Sequence, residues 1–308
     1  MVTVTSPGQF QLVWEAGDNW GLSQWYDLVN DPGATNNVIG PLYAVNGPSE
    51  PCFAEPGLAN MVFYGEGDKK LDMRLVGNAC SFLITPPPTT ATMTILSNTP
   101  QEVILQTAGA PVVNGSQSSG IVGTVTYYIF PDGRIYIRNS VHVTANVDLG
   151  CGGTCDLFIL DMGLEDPTQQ GTVPPDSQGF IRADKDTNPW DNSTVANEPY
   201  LFAYWNQGTA APYTHWTYAN VMVVLSPNNP TKLYQIRHSW SSGRGFGVVR
   251  WGYRFSPGPN MTAGQTVSND FLIQLGTSGS SVLPNITSAY VATPIANAYI
   301  ASPNPPGL

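Results

Sequence analysis

Apolar residues along this chain fall in short runs that are broken repeatedly by Gly, Pro, Asn and Asp. No long stretch places apolar side chains at i, i+3, i+4 and i+7, the spacing of an amphipathic helix. Strands, whose side chains alternate between two faces, fit the pattern throughout. Gln9–Glu15 alternates and predicts a first strand, and Trp25–Val29 a strand or one helical turn ending at Asp31-Pro32-Gly33. Ala59–Gly65, Lys70–Val76 and Ser81–Thr85 read as strands, and Thr92–Ser97 with Glu102–Thr107 as a hairpin. The clearest pattern lies in residues 123–145, where Thr124–Phe130 and Arg134–Val143 flank the turn residues Pro131-Asp132-Gly133. In its second strand Ile135, Ile137, Val141 and Val143 share one face, while Arg134, Tyr136, Arg138, Ser140 and His142 share the other. Trp216–Leu225, Lys232–Trp240, Gly245–Phe255 and Ser268–Leu275 predict further strands. Asp166–Pro199 has little apolar periodicity and reads as a long loop, the kind that is functional or disordered.

These elements predict an all-β fold, a large antiparallel β-sandwich of supersandwich or jelly-roll type with long loops and few helices. Length alone leaves one or two domains open, but no composition shift marks a boundary. Residues 1–290 are therefore expected to form a single sandwich domain, and residues 291–308 an extended Pro-rich tail or linker to a further module of a larger secreted protein.

Composition sharpens the picture. Charged residues make up 11% of the 308 residues, with 31 Gly and 27 Pro, so solubility rests on hydroxyls and amides, as in turn-rich extracellular β proteins. A net charge of −10 argues against nucleic acid and anionic membranes as partners. No apolar run is long enough to span a bilayer, and the N-terminus lacks the basic-then-apolar order of a signal peptide. Four cysteines suit two disulfides, Cys52–Cys80 and Cys151–Cys155, better than a metal site, because no His lies near either pair. Sequons stand at Asn114, Asn192, Asn260 and Asn285. The expected localisation is extracellular.

The hairpin Val125-Thr126-Tyr127-Tyr128-Ile129-Phe130-Pro131-Asp132-Gly133-Arg134-Ile135-Tyr136-Ile137 resembles strands of galactose-mutarotase-like β-sandwich domains. These occur in polysaccharide lyases, some glycosidases and sugar epimerases. The resemblance implies a large antiparallel sandwich whose concave face binds sugars. Tyr234-Gln235-Ile236-Arg237-His238 resembles the Gln-Ile-His strand of jelly-roll alginate lyases, but the additional Arg237 moves His238 to the opposite face, and no residue's role carries over.

Nine of the 12 basic residues lie between Arg134 and Arg254. Arginine grips carboxylates through paired, charge-assisted hydrogen bonds, so an Arg-lined face suits an anionic polysaccharide; pairing with the protein's own acids is the plainer reading. Cleavage of such a polymer by β-elimination needs a base, an acid and a group that stabilises the enolate. His215 with Tyr213, and His238 with Arg237, are the candidate catalytic residues. Arg134, Arg138, His142, Tyr136, Trp190, Trp205, Trp240 and Arg250 are the candidate substrate-binding residues. A carboxylate-pair hydrolase drawing on Asp161, Glu165, Asp166 or Glu198 ranks lower. No nucleotide-binding or zinc motif is present and no cofactor is expected, although the Asp-rich loops leave room for structural calcium. The functional expectation is a secreted domain that binds an acidic polysaccharide and cleaves it by elimination. Its rivals are a non-catalytic carbohydrate-binding or adhesion module and a structural subunit of a surface layer or filament.

Overall fold

The period-two pattern sets the architecture. The computed structural model describes residues 1–16, 20, 22–35, 58–65, 72–76, 91–110, 112–113, 116–117, 120–148, 155–165, 178–182, 194–196, 200–205, 220–228, 234–240, 246–255, 260–277, 279–286 and 289–308. The first strands are β1 (Val2–Ser6), β2 (Phe10–Trp14), β3 (Leu22–Asp27), β4 (Leu58–Gly65), β5 (Asp72–Val76), β6 (Thr92–Asn98) and β7 (Val103–Gly109). Then come β8 (Val112–Val113), β9 (Ser116–Gln117), β10 (Ile121–Ile129), β11 (Arg134–Val143), β12 (Val147–Asp148), β13 (Cys155–Glu165) and β14 (Gln178–Arg182). The last are β15 (Thr194–Ala196), β16 (Tyr200–Trp205), β17 (Asn220–Leu225), β18 (Tyr234–Trp240), β19 (Phe246–Phe255), β20 (Asn260–Met261) and β21 (Thr266–Gly276), followed by α1 (Ala289–Ala301).

The long strands form two sheets whose pairings are all antiparallel. The first, sheet A, has nine strands in the order β1-β2-β3-β4-β13-β19-β18-β15, with β5 also paired to β4. The second, sheet B, has eight in the order β14-β16-β17-β21-β11-β10-β7-β6. This is the all-β sandwich that the sequence predicts.

The sheets meet through their apolar faces. Phe10, Leu12, Trp14 and Trp25 come from sheet A, and Leu105, Val125, Tyr127, Ile137 and Phe271 from sheet B, all buried in one cluster. The Trp14 and Tyr127 rings meet edge to face at 5.5 Å between centroids and 69° between planes, the geometry the aromatic quadrupole favours. The turn between β10 and β11 is closed by Phe130 N donating to Arg134 O at 2.9 Å and Gly133 N donating to Phe130 O at 3.0 Å. Gly133 has φ +81°, a left-handed conformation that favours glycine.

Two expectations need correction. The interval Asp166–Pro199 carries β14 and β15 rather than only loop. Within 291–308, expected as an extended tail, the chain forms most of α1 before extending from Ser302 onward. Ala292, Ala296 and Tyr299, at i, i+4 and i+7, are buried, and α1 contacts β17 on sheet B. Burial of that face drives the helix despite the internal Pro294. Cys52, Cys80 and Cys151 lie outside the described residues, and Cys155 opens β13 with its backbone pairing alone described, so the expected disulfides lie outside them too. No helix among the described residues is long and apolar enough to cross a membrane.

Candidate functional site

Strand alternation sends the even-numbered side chains of β11 to the face of sheet B opposite the core. The register extends that face sideways: Arg134 lies opposite Gln274, Tyr136 opposite Leu272 and Arg138 opposite Asp270 on β21. Thr126 lies opposite Arg138 on β10, and Gln106 opposite Thr126 on β7. Gln106 Nε2 donates to Thr126 Oγ1 at 3.2 Å. Hydroxyls, amides and two arginines thus spread over neighbouring strands.

At the turn end of this face lies a cleft of ≈590 Å³, within the usual range for small-molecule sites. Arg134, Tyr136, Leu272 and Gln274 of sheet B form its floor, and Val282, Pro284, Ile295, Ala298 and Tyr299 line it together with Ser302, Asn304 and residues 305–308.

The floor is held rigidly. Arg134 Nε donates to Asp132 Oδ2 at 2.7 Å, and Arg134 Nη1 to the Tyr136 hydroxyl at 3.3 Å. The same guanidinium sits 5.2 Å from the centre of the Phe130 ring. Gln274 Nε2 donates to Asp132 O at 2.9 Å and to Leu275 O at 2.7 Å, binding the turn to β21. Tyr136 packs between Phe130 and Tyr299, at centroid distances of 5.6 and 5.7 Å.

Arg138 stands one step further along the strand. Its Nη2 donates to Asn304 Oδ1 at 2.7 Å, its Nε lies 3.7 Å from Asp270 Oδ2, and its guanidinium lies 5.7 Å from the Tyr128 ring centre. Burial raises the Asp270 carboxyl above its ordinary range, with Arg138 pulling the other way. Burial also pushes the Tyr299 hydroxyl far up, and the Asp270 charge adds to this against a hydrogen bond with Ser226. Tyr299 therefore stays a neutral hydroxyl near neutral pH.

Of the expected binding residues, Arg134 and Tyr136 meet in the cleft, and Arg138 stands at its edge. His142 lies on the same face, exposed, with Nδ1 2.9 Å from Thr266 Oγ1. It stands eight residues from Arg134, on the order of 26 Å along an extended strand, so the structure does not bring it to the cleft. Arg237, His238 and Trp240 lie on β18 and Arg250 on β19, in sheet A, with Arg237 opposite Arg250 and His238 opposite Val249. Trp205 ends β16. Only the backbone of these five is described. His215, Tyr213 and Trp190 lie outside the described residues.

Asp132, Asp270, Gln274, Tyr299 and Asn304 complete the site and are not among the candidates from sequence. Asp270 and Gln274 carried one usable signal, polar positions alternating with Phe271, Ile273 and Leu275. Among the described residues no group of three or more His, Cys, Asp or Glu side chains is placed to hold a metal ion.

No family model matches the sequence, and no curated protein matches it. Solved structures do. A GalM/aldose epimerase homologue from C. elegans is similar over 90% of this chain and 98% of its own, at 6% identity and a TM-score of 0.46. Galactose 1-epimerase from Lactobacillus acidophilus is similar over 89% and 93%, at 8% identity and 0.46. A GH36 alpha-galactosidase from Geobacillus stearothermophilus is similar over 90% of this chain but 41% of its own, at 10% identity and 0.44.

Proposed function

We propose that this chain is a carbohydrate-binding β-sandwich domain whose ligand, a neutral sugar unit, occupies the cleft between sheet B and α1. The observation that carries this reading is the composition of the cleft. A rigid Arg134–Asp132 pair and the nearby Asn304 amide offer donors and acceptors side by side, next to apolar walls from Val282, Pro284 and Ile295. A sugar presents the same mixture, hydroxyls around its rim and C–H groups on its faces. The charges favour a neutral ligand over the anionic one expected from sequence, because Arg134 and Arg138 each already face a carboxylate. A uronate would have to compete with Asp132 and Asp270 for them.

Elimination chemistry remains attached to His215, Tyr213, His238 and Arg237, and no histidine is among the described residues that line the cleft, so binding is the function proposed for this face. An extracellular setting belongs to the same proposal and draws on the low charge and the turn-rich composition.

The test is calorimetric titration with oligosaccharides of starch, galactan and xylan beside those of polygalacturonate and alginate. Neutral sugars should bind, Arg134→Ala should weaken binding about tenfold, as expected for lost charge-assisted hydrogen bonds, and His142→Ala should leave it unchanged. Binding of uronates alone, with ultraviolet-absorbing unsaturated products released, would overturn this reading in favour of a lyase.

A further inference from the structure

β1 is the last strand of sheet A and β6 the last of sheet B, and the two border one groove of ≈340 Å³. The sheets do not end level there. Ile95 on β6 lies opposite Leu105 on β7, so both side chains share the inner face of sheet B. Leu105 is fully buried in the core, yet Ile95 is 54% exposed. Sheet A therefore stops short of Ile95 and leaves that margin of the inner face uncovered. Every residue of β1 lines the groove, together with Ile95, Val103 and Leu105 of sheet B.

β1 itself is an open edge. Among the described residues it pairs with β2 alone, so half of its backbone N–H and C=O groups point away from β2 without a ladder partner. Open edges are usually shielded by charge, proline or a bulge. β6 carries a bulge between Ile95 and Ser97. β1 carries no such device: its register with β2 is unbroken from Val2 to Ser6, and Val-Thr-Val-Thr-Ser holds neither charge nor proline.

The chemistry selects the occupant. A hydrocarbon chain would satisfy Val2, Val4 and Ile95 but leave the backbone groups of β1 unmet. An extended peptide satisfies both, through ladder hydrogen bonds along β1 and alternate side chains beneath Ile95. Charge narrows the choice further. The protein carries −10, and Glu102 is the only charged group among the described residues that line the groove. A second copy would bring the same negative charge, whereas a basic segment complements it.

We propose that this groove docks an extended, basic peptide segment of a partner protein, added as a further strand to β1 at the edge of sheet A. The occupant matches the 5 residues of β1, on the order of 17 Å of extended chain. Its β-branched inner side chains continue the row of Val2 and Val4 beneath Ile95, and its Lys or Arg reaches Glu102. The site is independent of the cleft and of the carbohydrate reading.

The probe is a rhodamine-labelled peptide, Lys-Val-Thr-Val-Thr-Val with blocked ends, titrated into the full chain and followed by fluorescence anisotropy. Saturable binding is expected. Proline at the two middle positions removes ladder donors in either register and should weaken binding at least about tenfold. Glutamate in place of the lysine should weaken it about threefold, the range of exposed ion pairs. Ile95→Asp, at a position already open to water, should weaken it at least about tenfold, the scale set by losing one buried apolar side chain. In hydrogen-exchange mass spectrometry, excess unlabelled peptide should slow the amides of Val2–Ser6 by about tenfold and leave β11 unchanged. Binding that survives the prolines, or that leaves exchange in β1 unchanged, would overturn strand addition. Absence of binding at millimolar peptide would overturn the site. Sedimentation of the protein alone decides against the other occupant: self-association that Ile95→Asp abolishes would give the groove to a second copy and overturn the partner peptide.

Discussion

At Gly133 the chain turns with φ +81°, and a Cβ placed there would lie 2.6 Å from Leu283 Cδ2 and 3.0 Å from Leu275 O. Backbone conformation and crowding oppose any side chain, and the carbonyl cannot swing away because it belongs to β21. Gly133→Ala should therefore cost more than about 1 kcal/mol, read as a lower urea midpoint at unchanged slope. A smaller loss would mean that the turn relaxes around the methyl group. Asp270 allows a prediction in pH. Burial raises its carboxyl above the ordinary 3.8, so the fold favours the protonated form. Stability from this group is present below that ordinary value and is lost as pH rises through the raised folded value. Asp270→Asn cannot ionise. Its stability relative to the parent protein should grow across that window and level off above it, in urea unfolding at a series of acidic pH values. Parallel pH profiles for the two proteins would refute the assignment.

Among the elements, strands were the legible part. The hairpin of β10 and β11 was visible as two alternating runs around Pro131-Asp132-Gly133, because turn chemistry and period two are both local properties. The shared face of Arg134, Tyr136, Arg138 and His142 followed from the same alternation. Other features were hidden for physical reasons. β17 is buried on both faces, with Met222 and Val224 as covered as Val221 and Val223, since α1 packs on the outer one; the strand pattern of Trp216–Leu225 offered no sign of the helix. In α1 the composition misled, as Pro294 and the Pro-rich segment after it mimic an extended tail, while the driving force is burial of Ala292, Ala296 and Tyr299 against a distant strand. Half of the site was illegible for a related reason. Asp270 and Gln274 meet Arg138 and Arg134 only through the pairing of β11 with β21, and Asn304 only through the path of the tail. No local pattern encodes which strands become neighbours.

The molecule as a whole is joined across its middle by side chains from both sheets. Trp14 is fully buried and meets Tyr127 across the interface. Trp14→Ala removes one of the largest fully buried side chains, which spans the two layers, and should cost about 3–5 kcal/mol, several times the effect expected of changes on the cleft floor. Calorimetry would register this as one cooperative transition at lower temperature if the sheets unfold together, and as two separate transitions if they do not.

The order of strands in sheet B also has a consequence in time. β21 is the last long strand of the chain, yet it sits inside the sheet between β11 and β17. A ribosome delivers both neighbours before it delivers the strand that joins them. Until Thr266–Gly276 emerges, two unpaired edges stand open, the condition under which nascent chains recruit chaperones or pair with each other. The earliest strands, β1 to β3, pair in chain order and can form as they are made. Synthesis therefore leaves one side of the sandwich free to assemble while the other waits for β21.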